Sequence, residues 1–406
     1  MSKGEAGDGI RMRRRAARRR IYLDYASTTP LDSRVLDAMR PYFSDKFGNA
    51  SSIHAEGAAA AAALRRGRET VARTLQARAD EIVFTSGGTE SNNLAIFGAA
   101  RAREPEGFLL SKMHFVTTVI EHSSVLECFR ELERRGAKVS YAPVKKNGIV
   151  DPSVIGELVR PHTVLVSVGL ANNEIGVIQP VREIAKLLGN LTPRRRNAKS
   201  RPLFHTDASQ AALFLDLNAA RLGVDLMTLD GHKMYGPKGA GALYVRRGAP
   251  LSPVLFGGGQ ERGLRSTTEN IPGAVGFAEA LRLASESRRS ESVRLAALRD
   301  YFFAELSKRV KMPVIINGDL KERLPNNINI SIPGLDAEFA VLKLDAAGIA
   351  CSAKSSCLGS EGYSYVVRAL GGGRIRAASA LRFTLGCATA KSDIDRLLSA
   401  FRNVTM

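Results

Sequence analysis

Lys233 and Asp207 are the residues whose types and positions point most directly to chemistry. Asp207 follows an apolar run, where an ionised carboxylate is costly unless it meets a cation such as a protonated pyridinium nitrogen. Lys233 follows the next apolar run, behind Gly231 and His232. Partial burial there would favour the neutral amine, which can form a Schiff base. The pair therefore suggests a carbonyl cofactor that contains a pyridine ring.

A glycine-rich segment upstream could bind the phosphate of such a cofactor. The segment is Thr85–Asn93, which contains Gly87 and Gly88 and precedes a helical pattern. Glycines let the backbone approach an anion, and free N–H groups at a helix start attract phosphate. The alternative is a structural turn in which Thr89 caps the helix. Together with Asp207 and Lys233, the segment predicts a pyridoxal-phosphate enzyme with Lys233 as the cofactor lysine.

Two more apolar runs end in polar residues. His122 follows one of them; a lone histidine is usually structural or exposed, and the functional alternative is ring stacking or proton transfer. Asn172 and Asn173 follow the other and are of a type that orients ligands. Ligands bind at the carboxyl ends of strands in open α/β sheets, so we expect all these residues at one cleft.

The elements that must position these residues alternate between strands and helices up to about residue 275. This pattern is typical of an α/β fold with a mainly parallel sheet covered by helices. The expected strands are Glu81–Thr85, Phe115–Val119, Val164–Leu170, Leu203–Thr206, Leu226–Leu229 and Gly241–Val245.

Beyond residue 275 the pattern predicts a smaller α+β domain with an antiparallel sheet. Its strand Ile328–Ile332 has strict period-2 alternation, which predicts one face in water. Its other expected elements are helices at Ala278–Val310 and Phe339–Ala347, strands near Ile349–Cys351 and Ala380–Leu385, and a final helix. We therefore predict a basic disordered tail (1–20), a large cofactor-binding domain (21–275, its first ten or so residues able to pack with the small domain) and a small C-terminal domain (276–406).

Length and composition limit the class of protein. The 406 residues suit two domains that share a cleft, and 44% hydrophobic residues with 37 glycines fit a globular α/β protein. No apolar run approaches the roughly 18 residues that span a bilayer, so we expect a soluble protein without membrane contact. Four cysteines form no disulfide framework and show no zinc spacing. A reducing compartment, the cytoplasm, is the expected setting.

The formal charge of +19 raises the question of nucleic-acid binding. Much of that charge lies in residues 1–20 and in a second cluster of Arg194, Arg195, Arg196, Lys199 and Arg201, and neither cluster contains aromatic residues for base stacking. This distribution argues against specific nucleic-acid binding, and a basic nucleic-acid-associated protein that retains only the fold is a remote alternative. The arginine-rich start lacks the apolar segment of a secretory signal. It is also short and contains acids, which favours the cytoplasm over the mitochondrion.

Seven motifs together resemble the cysteine desulfurases, in the class V, fold-type I branch of pyridoxal-phosphate enzymes. They are TSGGTESNNL (85–94), IEHSSV (120–125), ANNEIGV (171–177), HTDASQ (205–210), GHKMYGPKGAGALYVRR (231–247), GGGQERGLRSTTEN (257–270) and RFTLG (382–386). The resemblance spans about residues 21–402. It implies a homodimer that converts L-cysteine to L-alanine. The chain also resembles the selenocysteine lyases, the alternative on the same scaffold.

The resemblance implies a role for each matching residue. Lys233 would carry the cofactor and act as base at the substrate Cα, Asp207 would hold the pyridinium nitrogen protonated, and His122 would stack on the ring. The other implied contacts are Gln210 on the ring oxygen; Gly88, Thr89 and His232 on the phosphate, with Thr268 from the second subunit; and Arg382, assisted by Asn173, on the substrate carboxylate.

The resemblance also assigns the sulfur-carrying thiol to Cys357. It lies in a segment rich in Ser and Gly, a composition that predicts mobility, and the alternative is an ordinary loop cysteine. Cys357 would carry a persulfide to an acceptor in iron–sulfur cluster assembly or tRNA thiolation, and the acceptor stays open. We expect no intrinsic metal, although Cys357 could transiently ligate an iron–sulfur cluster. The other cysteines, Cys128, Cys351 and Cys387, are expected to be packing residues.

Asp230 departs from the family pattern. It stands where the family usually has a serine that donates to the cofactor phosphate. An ionised aspartate there would repel a phosphate dianion, so we expect it to turn away, to be protonated or to pair with a basic neighbour.

Overall fold

The computed structural model describes residues 19–107, 109–191, 201–353 and 362–404. Three features singled out in the sequence lie outside the described residues: the basic tail up to residue 18, the arginines of 194–196 and Cys357. Within the described part of the chain, none of the helices combines the length and apolarity needed to span a bilayer.

The described part of the chain contains two sheets and a short pair of strands. The strands are β1 Ile21–Tyr22, β2 Ile82–Thr85, β3 His114–Thr118, β4 Lys138–Ala142, β5 Thr163–Ser167, β6 Leu203–Asp207, β7 Leu226–Asp230, β8 Gly241–Val245, β9 Ile315–Ile316, β10 Asn327–Ser331, β11 Ile349–Ala350 and β12 Ala380–Thr384. The six strands predicted before residue 275 are confirmed, with ends shifted by up to three residues. The prediction omitted β4, an edge strand whose side chains are mostly not buried.

Helices cover the larger sheet and join it to the smaller one. The α-helices are α1 Ser33–Met39, α2 Ala55–Leu75, α3 Gly88–Arg101, α4 Ser123–Arg134, α5 Pro152–Leu158, α6 Val181–Leu191, α7 Ala219–Leu222, α8 Ile271–Arg309, α9 Ala337–Ala346, α10 Tyr365–Val367, α11 Gly373–Ala378 and α12 Lys391–Val404. Helix α8 begins seven residues earlier than predicted, at the point where the Asn270 side chain accepts the N–H of Gly273.

The larger sheet has seven strands in the order β2-β8-β7-β6-β5-β3-β4, and β8 alone runs antiparallel to its neighbours. Successive residues of β5 pack on opposite faces: Leu165 lies in one apolar cluster with residues of α3 and α4, and Val166 in another with residues of α2 and α8. Burial on both faces explains the continuous apolar runs in the sequence. The mainly parallel α/β fold is confirmed.

A second core surrounds the antiparallel sheet β12-β10-β9. The first half of α8 packs in the core of the larger sheet, through Phe277 and Leu281, and its second half packs in this one, through Phe302 and Leu306. Ile21 of β1 also packs here, where β1 pairs in parallel with β11. Helix α8 therefore belongs to both cores and links the smaller sheet to the larger one.

The predicted wet face of β10 is wrong. Asn327 and Asn329 alternate with isoleucines as expected, but both asparagines are buried. Their side-chain amides each donate to the backbone carbonyl of Glu174 at 3.0 Å. The alternation marks a polar face correctly, but that face is covered by the segment after β5 instead of by water.

Candidate functional site

A cavity of about 230 Å³ lies where the parallel strands β2, β3, β5, β6 and β7 end. Ten of the residues predicted for the site line it: Gly88, Thr89, His122, Asn173, Asp207, Gln210, Asp230, His232, Lys233 and Arg382. Thr268 does not line it and is exposed in the segment before α8. Cys357 lies outside the described residues. The carboxyl ends of distant strands thus bring together most of the predicted site.

Lys233 lies at the end of a 3₁₀ turn, Gly231–Lys233, that directly follows β7. Its Nζ donates to the backbone carbonyls of Ala26 and Ser27, both at 2.7 Å. Gly231 is required for this tight turn, because a Cβ there would lie 2.7 Å from the carbonyl oxygen of Ala240. The turn therefore holds the lysine amine at the wall of the cavity.

Asp207, the last residue of β6, is fixed by hydrogen bonds to both carboxylate oxygens. Its Oδ1 accepts the N–H of Ser209 at 2.9 Å, and its Oδ2 accepts from the side-chain amide of Asn92 at 2.8 Å. Asn92 is fully buried on α3 and also donates to the hydroxyl of Ser124. Sequence reasoning missed Asn92. Its position in the motif at 85–94 and its amide side chain could have identified it. These hydrogen bonds fix the orientation of the carboxyl group at the cavity.

His122 is the N-cap residue of α4, and this role fixes which ring nitrogen is free to act. Its Nδ1 accepts the backbone N–H of Ser124 at 3.2 Å and lies 2.8 Å from that residue's hydroxyl oxygen. Because Nδ1 is an acceptor, the neutral ring carries its proton on Nε2. The imidazole can then present a protonated Nε2 while it lines the cavity.

Glu121 is a further carboxyl group at the cavity, in addition to Asp207 and Asp230, and sequence reasoning did not single it out. Its Oε1 accepts from the hydroxyl of Thr118 at 2.7 Å, and the N–H of Gly169 approaches both oxygens at 3.0 and 3.1 Å. Burial raises the pKa of Glu121 to about 7, and the neighbouring charge of Asp207 adds to the rise. The carboxyl group of Glu121 therefore loses its proton and becomes negatively charged as the pH rises through about 7.

Ionisation of Glu121 should lower stability as pH rises. Since its pKa in the folded protein lies above the ordinary 4.5, the carboxyl favours folding while protonated, and this contribution is lost as pH rises through about 7. As the pH rises from 5 to 8, the free energy of unfolding of the wild type should fall by on the order of 1–3 kcal/mol relative to that of Glu121→Gln. Urea unfolding at both pH values measures this. Comparing the two pH values cancels any pH-independent loss of hydrogen bonding.

The control for this experiment is Glu127→Gln, on the exposed side of the neighbouring helix α4. The difference in free energy of unfolding between Glu127→Gln and the wild type should be the same at pH 5 and pH 8. An equal pH dependence of Glu121→Gln and the wild type would show that Glu121 ionises normally.

Arg382, on β12, reaches the cavity from the smaller sheet. It is buried, and its guanidinium donates to the backbone carbonyl of Asn173 at 2.9 Å and to Asp24 and the Ser27 hydroxyl at 2.8 Å each. Its buried Nε has no hydrogen-bond partner among the described residues. Sequence reasoning missed Asp24, although its position just after β1 could have identified it as a site residue. The guanidinium thus keeps a donor for an anionic ligand while Asp24 balances its charge.

The opposite end of the cavity is a small anion cradle at the start of α3. Gly87 is the N-cap and has a φ of 146°, which favours glycine, so the alternative in which Thr89 caps the helix is wrong. A Cβ on Gly88 would lie 3.1 Å from the hydroxyl oxygen of Ser209. That hydroxyl is buried without a hydrogen-bond partner among the described residues. The glycine, the hydroxyl and the helix start together suit a phosphate group.

Asp230 points its carboxylate into this cradle. Its Oδ2 accepts the N–H of Gly88 at 2.8 Å and its Oδ1 accepts the N–H of His232 at 3.2 Å. Burial opposes ionisation, but hydrogen bonding to His232, the charge of that ring and the N–H of Gly88 outweigh it and keep the pKa of Asp230 below its ordinary value. In the structure Asp230 faces His232, whose Nε2 lies 3.4 Å from Oδ2, so of the three expectations the geometry favours pairing with this neighbour.

The described cysteines add no group to the cavity. Cys128 is buried and Cys351 packs against the second core, as predicted, but Cys387 is exposed, so its assignment as a packing residue is wrong. Among the described residues, no cluster of His, Cys, Asp and Glu could hold a metal ion.

Comparison with known proteins extends over nearly the whole chain. The family model described as Aminotransferase class-V matches residues 21–397. The chain is 42% identical over 389 residues to "Cysteine desulfurase IscS" of Dictyoglomus turgidum, with 95% of each chain covered. Its fold is similar to a solved "NifS-like protein", with a TM-score of 0.86, 34% identity and coverage of 95% and 99% of the two chains. It is also similar to "SspA in complex with cysteine", with a TM-score of 0.76, 33% identity and coverage of 90% and 98%.

Proposed function

Because the chain belongs to the aminotransferase class-V family, we propose that it is a cysteine desulfurase, an enzyme that removes sulfur from L-cysteine and releases L-alanine. The observation that carries this proposal is that Lys233, Asp207 and His122 line one cavity. They lie at or just after the carboxyl ends of three parallel strands of one sheet, β3, β6 and β7. An amine, a fixed carboxylate and an imidazole around one cavity match the needs of amino-acid chemistry on pyridoxal 5'-phosphate.

The cavity offers groups for both ends of this cofactor, and the carboxylate of Asp230 shares the phosphate end. Lys233 would hold it covalently, Asp207 would keep its pyridine nitrogen protonated, and Gln210 would donate to its ring oxygen. Gly88, Thr89 and His232 would hold the phosphate in the cradle beside Ser209. The cofactor, when bound, supplies an electron sink for bonds broken at the substrate. The buried hydroxyl of Ser209, which has no hydrogen-bond partner among the described residues, supports the fit.

The substrate would be oriented by its carboxylate. Arg382 lies at the cavity wall with a buried Nε, and Asn173 lies beside it. A carboxylate bound there would place the substrate amino group and Cα toward Lys233, whose amine would remove the Cα proton. The imidazole of His122 would stack on the cofactor ring, and its protonated Nε2 would exchange a proton with the substrate thiol. These assignments place each of the three groups at a separate step.

The sulfur would leave through Cys357. Its thiolate would attack the substrate sulfur, so that an S–S bond forms as the Cβ–S bond breaks, and the Cβ would take up a proton to give alanine. A persulfide on Cys357 would then pass to an acceptor protein in iron–sulfur cluster assembly or tRNA thiolation. The cytoplasm is the proposed compartment, because a reducing setting keeps the thiol available.

A homodimer would complete the site. Thr268 is exposed and lies outside the cavity of its own chain. This position agrees with a contact to the phosphate of the cofactor in a second subunit. The large exposed side chains of Phe47, Ile53 and Phe256 offer apolar area for such an interface.

Light scattering should then give twice the mass of one chain, and Thr268→Ala should weaken cofactor binding without changing that mass.

The experiment that tests the function is to incubate the purified protein with L-cysteine and L-selenocysteine separately and to quantify alanine from each. We expect alanine from L-cysteine together with a protein-bound sulfur. The names of the relatives and the cysteine named with SspA support L-cysteine, instead of L-selenocysteine, as the substrate. Alanine from selenocysteine alone would identify the lyase, and a colourless protein that forms alanine from neither substrate would overturn the proposed function.

A further inference from the structure

The phosphate end of the cavity already holds an anion, the carboxylate of Asp230. Its two oxygens accept the backbone N–H groups of Gly88 and His232. The Nε2 of His232 lies 3.4 Å from Oδ2. The proposed function assigns these same two residues to the cofactor phosphate. The carboxylate and the phosphate therefore require the same donors.

The structure gives this carboxylate little freedom to leave. Asp230 is the last residue of β7, where it pairs with Gly241 of β8, so its backbone cannot shift without breaking the ladder. The residue is 8% exposed. A Cβ on Gly88 would lie 3.0 Å from its Oδ2, so the carboxylate sits against the glycine backbone. Moving it would leave a buried charge without its hydrogen bonds, which is costly.

We infer that Asp230 sets the cofactor specificity of this enzyme by competing with the phosphate of pyridoxal 5'-phosphate for Gly88 and His232. The inference rests on the proposed function, because it takes that cofactor as the ligand. If both anions stay, they repel each other at close range; if the carboxylate moves, it gives up its donors. In both cases the free energy gained by binding the phosphate group is reduced, and binding of the rest of the cofactor is unaffected. Pyridoxal, which lacks the phosphate, escapes the penalty, so the phosphate adds less affinity here than it would beside a neutral residue 230.

The test compares two ligands and four proteins. Apparent dissociation constants for pyridoxal 5'-phosphate and for pyridoxal are measured by absorbance on the cofactor-free wild type, Asp230→Ser, Asp230→Asn and the control Asp37→Ser. Asp37 is exposed on α1 and pairs with Arg40. We expect both replacements of Asp230 to tighten pyridoxal 5'-phosphate binding at least about tenfold and to leave pyridoxal within about twofold. The control should match the wild type for both ligands.

A second measurement does not depend on the cofactor. Inorganic phosphate is titrated into each cofactor-free protein and followed by ³¹P line broadening. Asp230→Ser should bind it more tightly than the wild type by a similar factor. Agreement of the serine and asparagine variants would show that the charge matters, since asparagine keeps the shape of aspartate.

The outcomes separate this inference from the proposed function. Equal strengthening of both ligands would show that Asp230 acts on the ring or on Lys233 and would overturn the inference. Unchanged or weaker binding of pyridoxal 5'-phosphate and of phosphate by both variants would overturn it too. Failure of every protein to bind pyridoxal 5'-phosphate would overturn the proposed function, and the phosphate titration would still decide whether Asp230 blocks the cradle.

Discussion

Cys357→Ser should lose essentially all alanine formation from L-cysteine while still binding the cofactor. The substrate Cβ–S bond breaks productively only when a thiolate takes the sulfur, and a serine hydroxyl is a far poorer nucleophile at neutral pH. The change preserves size and polarity, so binding should persist. The measurements are alanine by chromatography, cofactor content by absorbance, and the mass of the intact protein, in which one extra sulfur on the wild type reports the persulfide.

The matched control is Cys387→Ser. Cys387 is exposed and outside the cavity, so its replacement tests loss of an accessible thiol without loss of the assigned one. It should keep both alanine formation and the extra sulfur. Substantial alanine from cysteine in Cys357→Ser would rule out the covalent mechanism. Selenium leaves more readily than sulfur, so activity confined to selenocysteine in both the wild type and this variant would identify a lyase.

The positions of the strand ends could be predicted from the sequence, because the rule behind them is local. A strand of a sheet covered on both faces is an apolar run, and the polar residues after it mark its end. His122, Asp207 and Lys233 each follow such a run, and parallel strands bring their carboxyl ends to one edge. The fold and the convergence of these three residues therefore followed from patterns within a few residues of each one.

Contacts between distant segments could not be predicted in this way. Asn92 meets Asp207 only because α3 packs over β6, and Asp24 meets Arg382 because β1 lies beside the smaller sheet. Nothing local in either sequence segment specifies its partner. The polar face of β10 shows the same limit, since alternation defines the two faces of a strand but not whether water or protein covers them.

Asp230 lies between these two cases. Sequence reasoning identified the conflict between its charge and a phosphate but left three ways to resolve it. The structure adds the contacts, because the N–H groups of His232 and Gly88 lie within hydrogen-bond distance of its oxygens. A local departure from a motif thus located the residue, and its packing was needed to give the consequence.

Lys233→Ala should abolish covalent attachment of the cofactor and with it the visible absorption band of the protein. The Nζ of Lys233 is held at the cavity wall by the carbonyls of Ala26 and Ser27, and it lies on the strand end next to that of Asp207. Among the residues that line the cavity it is the lysine. Without its amine no bond to the cofactor aldehyde can form there, and no base remains for the substrate Cα. Alanine formation should fall to background.

The control is Lys238→Ala, an exposed lysine on the same segment. It should retain the band and the activity, which separates the chemistry of Lys233 from a general effect of removing charge near residue 233. Mass spectrometry after borohydride reduction locates the attachment directly: the cofactor mass should lie on the peptide that contains Lys233 and should be missing from the alanine variant. Attachment of the cofactor to another lysine in Lys233→Ala, with the band preserved, would show that the assignment is wrong. Because Asp207 and the cradle at Gly88 are unchanged in this variant, the cofactor should still bind without a covalent bond and should exchange on dialysis.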